Sequence, residues 1–386
     1  MKIFQIGSYP LEKKFPNGGV EASVYGLTKE LAKSNKLFVF DFPRTGLYED
    51  KIEKEEDYCV FRFHSKGLNN FFAILRIREI VAIIRQQEPE ICHVHTTSFY
   101  SFIIYLFLKY YHIPVIVTIH GLAYIEKKNL WVSKRTFRNL LKFFFQSLTE
   151  FIFLSINDVL IVDTQYVAET IKNLKKQRKI FRLPVCKVIP QGVSSDFFHL
   201  KNAPNKHQLL SVGAFTKRKG FLNLIDSMVK IRNHYPDFSL KIAGILTDKN
   251  YYHAMQNKIS EYGLEQNIHL FPNASKREIM NFFKESEIFV LHSEEESQGI
   301  VLCEAMAVGL PIIATNVGGI PWVIEDMENG LLSDFGDIET FSNNLIIMMN
   351  NESIRKKISE NNKKASISYR WNYISNKVYS LYKSVI

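Results

Sequence analysis

Cysteine is scarce: Cys59, Cys92, Cys186 and Cys303 are the only four in 386 residues, and they lie far apart. No pair has metal-ligand or redox spacing. Each has apolar neighbours, which fits buried thiols in a reducing compartment. Asp-x-Asp is absent, as is any other compact carboxylate cluster with metal geometry, so no metal and no cofactor is expected. The first apolar run is not followed by Gly-x-Gly-x-x-Gly, which argues against a dinucleotide-dependent oxidoreductase. Long apolar runs are missing too. The longest, Ser98 to Leu108, is about half of what a membrane span needs. Met1 to Gly7 is too short for a signal peptide and runs straight into structure, so a cytoplasmic location is expected. Short-period repeats and low-complexity tracts are also lacking.

What is present is the composition of a globular protein, 46% apolar and 23% charged. The length exceeds one ordinary core, so two domains are expected. Net charge is +10, which suggests an anionic partner. Most of the excess sits between Lys127 and Arg182, where twelve Lys or Arg face four Asp or Glu, a net +8.

Short apolar runs alternate with longer amphipathic ones. In the first half Lys2–Gly7, Leu37–Asp41, Cys59–Phe63, Ile91–His95, Val115–Ile119, Val159–Val162 and Lys187–Pro190 read as strands. Val20–Lys33, Phe71–Gln87 and Trp131–Ile156 read as helices between them. This order implies a parallel sheet covered on both faces. The pattern then restarts, with strands at Leu209–Val212, Leu240–Ala243, Ile268–Phe271, Ile288–Leu291 and Ile312–Ala314. Its helices are Phe221–Asn233, Lys276–Glu285, Ile300–Val308 and Ile320–Met327. The polar segment 199–208 reads as a linker. The fold class is therefore α/β, two Rossmann-like domains facing a cleft.

Several motifs carry chemistry. Glu296 and Glu304 flank Ser297-Gln298-Gly299-Ile300-Val301-Leu302-Cys303, with Gly309-Leu310-Pro311 and Gly318-Gly319-Ile320-Pro321 behind them. Eight positions on a helix span about 80° and two turns. One acid can sit at the glycine-bearing helix start and the other on a nearby face inside the helix. That suits holding an elongated polar ligand at two points, and the N-terminus between them offers N–H groups to an anion. Gly18-Gly19-Val20-Glu21 opens a helix after the first strand, where glycines let backbone approach a phosphate. As a phosphate motif this is weak, and a simple helix-start turn explains it equally well. Gly213-Ala214-Phe215-Thr216-Lys217-Arg218-Lys219-Gly220 is a basic loop at a strand's carboxyl end, placed to hold a diphosphate. His120 ends the strand in Thr118-Ile119-His120-Gly121 and points into the cleft by the same rule. His93 and His95 alternate along a strand and are expected on opposite sides, so a two-His metal site is not implied.

Together these pieces resemble the GT-B retaining glycosyltransferases of family 4, also called glycosyl transferases group 1. The resemblance runs nearly end to end. It rests on Gly18-Gly19-Val20-Glu21, Thr118-Ile119-His120-Gly121, Val188-Ile189-Pro190-Gln191-Gly192-Val193, Lys219-Gly220 and the Glu296 to Pro321 block. It implies a GT-B fold with an acceptor-side domain at 1–198, a linker at 199–208 and a nucleotide-sugar domain at 209–368. The C-terminal helix, 369–386, would pack back on the first domain. It implies that Glu304 binds the ribose, and that Glu296 with the backbone of Gln298, Gly299, Ile300 and Val301 holds the donor sugar. Lys219 binds the diphosphate with Gly18 and Gly19 across the cleft and Gly213 and Arg218 beside it, and His120 contacts the sugar near the reacting carbon. His120 and Glu296 are thus the catalytic candidates. Three positions depart from the pattern. Ala214 stands where arginine is common, with Arg218 the candidate replacement. Gln298 stands where phenylalanine is usual, which brings a polar side chain to the sugar subsite. Gln191 stands where asparagine is usual.

The implied reaction moves a hexose-type sugar from a nucleotide-diphosphate donor, without a metal, to a glycan or polyprenyl-linked acceptor in surface-polymer synthesis such as capsule or lipopolysaccharide. A nucleotide-sugar epimerase on the same scaffold is the alternative, and a non-catalytic basic membrane-binding module is another. Residues 131–156 carry Trp131, Phe137, Leu140, Leu141, Phe143, Phe144, Phe145, Leu148 and Phe151, with Lys134, Arg135, Arg138 and Lys142 interleaved. Such a helix can lie on an anionic membrane, which would make the protein peripheral on the inner face of the cytoplasmic membrane. It can equally be a long core helix with a solvated basic face. No nucleic-acid motif accompanies the charge, so nucleic acid is not an expected partner.

Overall fold

The computed structural model of the chain describes residues 1–11, 18–44, 51–64, 77–125 and 137–386. The chain forms two compact units, Met1–Gly192 with Trp371–Ile386, and Val193–Arg370.

The first unit is built on strands β1 (Lys2–Gly7), β2 (Lys36–Arg44), β3 (Lys51–Lys54), β4 (Tyr58–His64), β5 (Ile91–Val94), β6 (Val115–Ile119), β7 (Val159–Val162) and β8 (Val185–Val188). They lie in the order β3-β4-β2-β1-β5-β6-β7-β8. All neighbours run parallel except β3, which pairs antiparallel with β4. The central strands are apolar on both faces, as a sheet covered on both sides requires. β5 and β7 supply Ile91, Cys92, Val94, Leu160, Ile161 and Val162, all buried. The helices are α1 (Gly19–Ala32), α2 (Ile77–Gln87), α3 (Phe99–Tyr110), α4 (Phe137–Ile156) and α5 (Gln165–Lys176).

The second unit repeats the plan with β9 (Gln208–Val212), β10 (Ser239–Gly244), β11 (Ile268–Pro272), β12 (Ile288–Leu291), β13 (Ile312–Thr315) and β14 (Leu331–Ser333). Their order is β11-β10-β9-β12-β13-β14, all parallel. Its helices are α6 (Ser195–His199), α7 (Phe221–His234), α8 (Lys249–Glu261), α9 (Lys276–Glu285), α10 (Ile300–Val308), α11 (Ile338–Asn350) and α12 (Glu352–Ser366). Helix α13 (Trp371–Val385) belongs to the first unit. The ring of Trp371 fills the space that a Cβ on Gly26 of α1 or on Gly192 would need, which seats α13 against α1.

The units divide at Gly192/Val193, not within 199–208. The polar segment is bound rather than free. Just before it, Phe197 of the helix Ser195–His199 packs edge-to-face on Phe283 at 5.2 Å. The Asn202 amide donates to the carbonyls of Lys284 and Ser286, and Ala203 and Asn205 donate backbone N–H groups to Lys284 and Glu285. Likewise 320–327 is not a helix. A 3₁₀ turn covers Ile320–Trp322 and then stops. The Asn329 side chain accepts from the Glu325 N–H and donates to the Val323 carbonyl, taking up backbone groups that a helix would have used.

In both sheets the direction of winding reverses at one point, between β1 and β5 and between β9 and β12. The crevice outside the carboxyl ends of the strands at such a point is where this architecture binds ligands.

Candidate active site

In the second unit the two loops that leave β9 and β12 interlock. The β9 loop passes Gly213 and Ala214 to a 3₁₀ turn, Lys217–Lys219, and enters α7 past Gly220. Gly220 is left-handed at φ +60°, and a Cβ there would overlap the His292 carbonyl. Gly213 leaves the space into which the aliphatic stem of Lys219 packs. Arg218 is tied to the β12 loop by Glu294 N–H to its carbonyl at 2.8 Å and by its own guanidinium to the Glu295 carbonyl at 3.0 Å.

These loops bring Lys219 and Glu296 together. Both are buried, at 8% and 5% exposure, and the Lys219 ammonium donates to Glu296 Oε1. Ser293 donates to the same oxygen at 2.9 Å, and Arg218 stands 3.5 Å from Glu296 Oε2. Burial pushes the Glu296 carboxyl up, but the charges of Lys219 and Arg218 and the bonds from Lys219 and Ser293 outweigh it and hold the group below its ordinary value. Glu296 is thus ionised, and Lys219 keeps further donors for a second anion.

Glu296 sits in the loop before α10, so helical geometry does not relate it to Glu304. The loop's shape is set from behind. Gly319 donates its N–H to the Glu296 carbonyl at 2.7 Å, and Gly318, at φ +55°, lies flat against that carbonyl. Gly299, left-handed at φ +73°, starts α10. The N–H groups of Ile300 and Val301 then have no intrahelical acceptor, as in the first turn of any helix. Ile300, Val301 and Glu304 form the half-buried face, while Leu302, Cys303, Ala305, Met306 and Ala307 are buried. Among the described residues no donor reaches the Glu304 carboxylate. It keeps an edge open to solvent, yet burial pushes it up to about 8, with the Lys276 charge opposing.

The Gln298 side chain does not turn toward this face. It is buried, and its amide donates to Cys303 Sγ at 3.4 Å. Its polarity is absorbed inside the unit.

In the first unit the strand ends collect a second group. Gly18 and Gly19 follow β1 and open α1. His95 follows β5, His120 follows β6, Asp163 follows β7 and Gln191 follows β8. His120 Nδ1 lies 3.4 Å from Asp163 Oδ1, and His120 Nε2 lies 3.4 Å from His95 Nδ1. Gln191 donates to Asp163 Oδ2 at 2.6 Å, and its Oε1 is 3.5 Å from where a Cβ on Gly19 would stand. His93 and His95 do not face opposite sides. Positions two apart in a strand share a face, and their rings lie 4.0 Å apart. His93 is occupied on both nitrogens, by Tyr382 and by Thr118, each at 2.6 Å. Asp163 is the residue that sequence reasoning passed over, although it ends β7 as His120 ends β6.

On α4, Phe137, Leu140, Leu141, Phe144, Phe145 and Leu148 are all exposed, Phe137 at 75%. Trp131, Lys134 and Arg135 lie outside the described residues, as do the side chains of Arg138 and Lys142. Among the described residues no helix is long and apolar enough to cross a membrane.

Comparison with known proteins gives this geometry a family. The model for Glycosyltransferase Family 4 matches residues 17–196, and the model for Glycosyl transferases group 1 matches residues 194–365. An uncharacterised glycosyltransferase of Methanocaldococcus jannaschii is 27% identical over 358 residues, 92% of this chain and 91% of that protein. A lipopolysaccharide core biosynthesis glycosyltransferase of Rhizobium meliloti is 25% identical over 203 residues, 53% of this chain and 57% of its own. The Anabaena protein HepE, solved in complex with UDP and glucose, superposes with a TM-score of 0.73 at 16% identity, covering all of both chains. The two models together span the chain from residue 17 to residue 365, and the protein belongs to the family 4 glycosyltransferases of GT-B type.

Proposed function

We propose that the protein moves a hexose-type sugar from a nucleotide-diphosphate donor to a glycan or lipid-linked glycan acceptor, with retention of configuration and without a metal ion. The observation that carries this reading is the buried Lys219–Glu296 pair beside the open start of α10. Lys219 and Arg218 face the diphosphate, Glu296 and the first N–H groups of α10 hold the sugar, and Glu304 takes the ribose. The acceptor oxygen bonds to the anomeric carbon as the bond from that carbon to the diphosphate oxygen breaks. The acceptor's proton passes to that departing oxygen on the same face. Negative charge grows on the leaving group, where Lys219, Arg218 and the helix N-terminus stabilise it. Glu296 is a positioning group here, because its charge is already engaged by Lys219. HepE's complex with UDP and glucose supports the donor class.

The test is donor binding by calorimetry across UDP-, GDP- and ADP-sugars, with and without a chelator, at several pH values. One sugar nucleotide should bind, unaffected by chelation. Two ribose hydroxyls donate to a carboxylate, so the ionised form of Glu304 is the binding form. Its carboxyl stands at about 8 in the free protein, so affinity should rise roughly tenfold per pH unit below that value and level off above it. Binding at pH 7 should release a proton. Glu304→Gln should bind weakly with a flat pH profile. Absence of binding by every sugar nucleotide sinks the reading, and a flat profile in the unmodified protein removes Glu304 from the ribose site.

The acceptor side is proposed to meet a membrane, with the protein in the cytoplasm and peripheral on the membrane's inner face. The exposed α4 residues are spaced as one helical stripe. The relative in lipopolysaccharide core biosynthesis supports a surface-polymer acceptor. Pelleting with vesicles should show binding, stronger to anionic than to neutral lipid. Phe144→Ser combined with Phe145→Ser should lower the affinity about tenfold or more, given what a buried phenylalanine contributes. Equal pelleting of variant and parent would remove α4 from the contact.

A further inference from the structure

Three histidines meet at the carboxyl edge of the first sheet, and only one faces a carboxylate. Burial pushes His93 down to about 3 and His95 well below its ordinary value, so both rings are neutral. His93 has both nitrogens occupied, by Tyr382 and Thr118. His95 has Nδ1 against His120 Nε2 at 3.4 Å, and its Nε2 is buried with no partner among the described residues. The His95 and His120 rings are nearly parallel, at 6°. On the other side of His120, Asp163 presents Oδ1 to Nδ1 while Gln191 holds Oδ2. The groups facing His120 are therefore Asp163 from the end of β7, His95 with His93 behind it from β5, and Gln191 through Asp163. All of them line one hollow of about 20 Å³, which Trp371, Ile374 and Val378 of α13 also line.

The proton positions follow from these contacts. A carboxylate is an acceptor only, so the His120 nitrogen that faces it must carry the proton. That leaves His120 Nε2 with a lone pair toward His95. A proton on His95 Nε2 would have no acceptor, whereas one on Nδ1 reaches His120. His120 Nδ1 and Asp163 Oδ1 are both buried without a hydrogen-bond partner among the described residues, 3.4 Å apart, and each can be satisfied by the other only if Nδ1 carries the proton. We infer that Asp163, held by Gln191, is a positioning residue that fixes the His120 proton on Nδ1, which in turn sets the direction of the His95–His120 hydrogen bond. With the proton on Nδ1, the Nε2 edge of His120 can accept a hydrogen bond but not donate one: it accepts from His95 Nδ1–H here, and a hydroxyl reaching that edge would have to take the place of His95. The tautomer claim stands on the geometry alone. Its bearing on turnover rests on the proposed transfer reaction and on the place near the reacting carbon that the family resemblance implies for His120.

The experiment is ¹⁵N NMR of the full-length protein labelled in histidine, which distinguishes Nδ1–H from Nε2–H rings, read beside a transfer assay. The parent should show His120 protonated on Nδ1. In Asp163→Asn the Gln191 donor selects the new carbonyl and turns the amide NH₂ toward His120, so the proton should move to Nε2. Turnover should then fall about 10²-fold, the scale of a misplaced reacting group, with donor affinity little changed. Gln191→Asn is the gentler variant. It withdraws the donor that orients Asp163 and keeps a polar side chain; a carboxylate free to turn no longer holds Oδ1 at Nδ1, so a mixture of tautomers is expected, and this variant decides the matter if Asp163→Asn does not fold. Nε2–H in the parent, or an unchanged tautomer in a folded variant, overturns the inference. A shifted tautomer with unchanged turnover overturns the positioning role in transfer. If Lys219→Ala still lowers turnover by about 10²–10³-fold in that same assay, the fault lies with the His120 inference and the nucleotide-sugar reading survives.

Discussion

Lys219→Ala is expected to lower turnover by about 10²–10³-fold, the range found when one preorganised donor to a developing negative charge is removed. Lys219 is the best placed cation in the second unit for this work. Its stem packs over Gly213, its ammonium donates to Glu296, and water is largely excluded from the pair. The substitution has a second consequence, for stability. Glu296 would stay buried with Arg218 at 3.5 Å and Ser293 at 2.9 Å but without its main partner. Breaking a buried pair from one side costs about 3–5 kcal/mol, and the remaining Arg218 places this case toward the lower end. A thermal or denaturant melt should therefore show Lys219→Ala clearly below the parent. Adding Glu296→Gln removes the stranded charge and should recover part of that loss while turnover stays low. Stability recovering together with activity would mean that the pair is a structural bridge and not part of the site. Unchanged turnover in Lys219→Ala would mean the same.

Much of the scaffold was legible because parallel strands buried on both faces leave an unambiguous apolar run. β1, β6, β7 and β12, and the helices α9 and α10, begin and end where the sequence pattern puts them. The misses each have a physical cause. β3 is an edge strand with the pattern Lys51-Ile52-Glu53-Lys54, exposed on most positions. It carries no apolar run to betray it, and Glu53 serves instead to pair with the buried Arg62, which also holds Asp41. The segment 199–208 looks like a linker by composition, but its polar groups are satisfied by the far end of α9, a tertiary fact that local sequence does not contain. Gln298 reads as a polar group in a sugar subsite until its amide is found on Cys303, because sequence gives the position of a side chain but not its direction. Asp163 was within reach. The rule that picks out His120 at the end of β6 applies equally to Asp163 at the end of β7.

Gly318→Ala is expected to damage the site from behind, without touching any group that meets a ligand. Gly318 is left-handed at φ +55°, and a Cβ there would overlap the Glu296 carbonyl oxygen, which also accepts the Gly319 N–H at 2.7 Å. An alanine in that conformation costs about 1–2 kcal/mol for the backbone alone. The overlap is with backbone, not with the end of a flexible side chain, so relief requires moving the loop that carries Glu296. Glu296 cannot shift without stretching its bonds to Lys219 and Ser293. A displacement of about 1 Å at the reacting groups is enough to lose on the order of 10² in rate. The substitution should therefore lower the melting temperature and cut both donor affinity and turnover. Gly336→Ala provides the control. It shares the left-handed conformation, at φ +87°, but a Cβ there meets nothing. It should lose the backbone term in stability and keep its activity. Equal loss of activity in the two variants would show that the effect comes from general destabilisation, whereas loss confined to Gly318→Ala would tie the second unit's chemistry to the position of the Glu296 carbonyl.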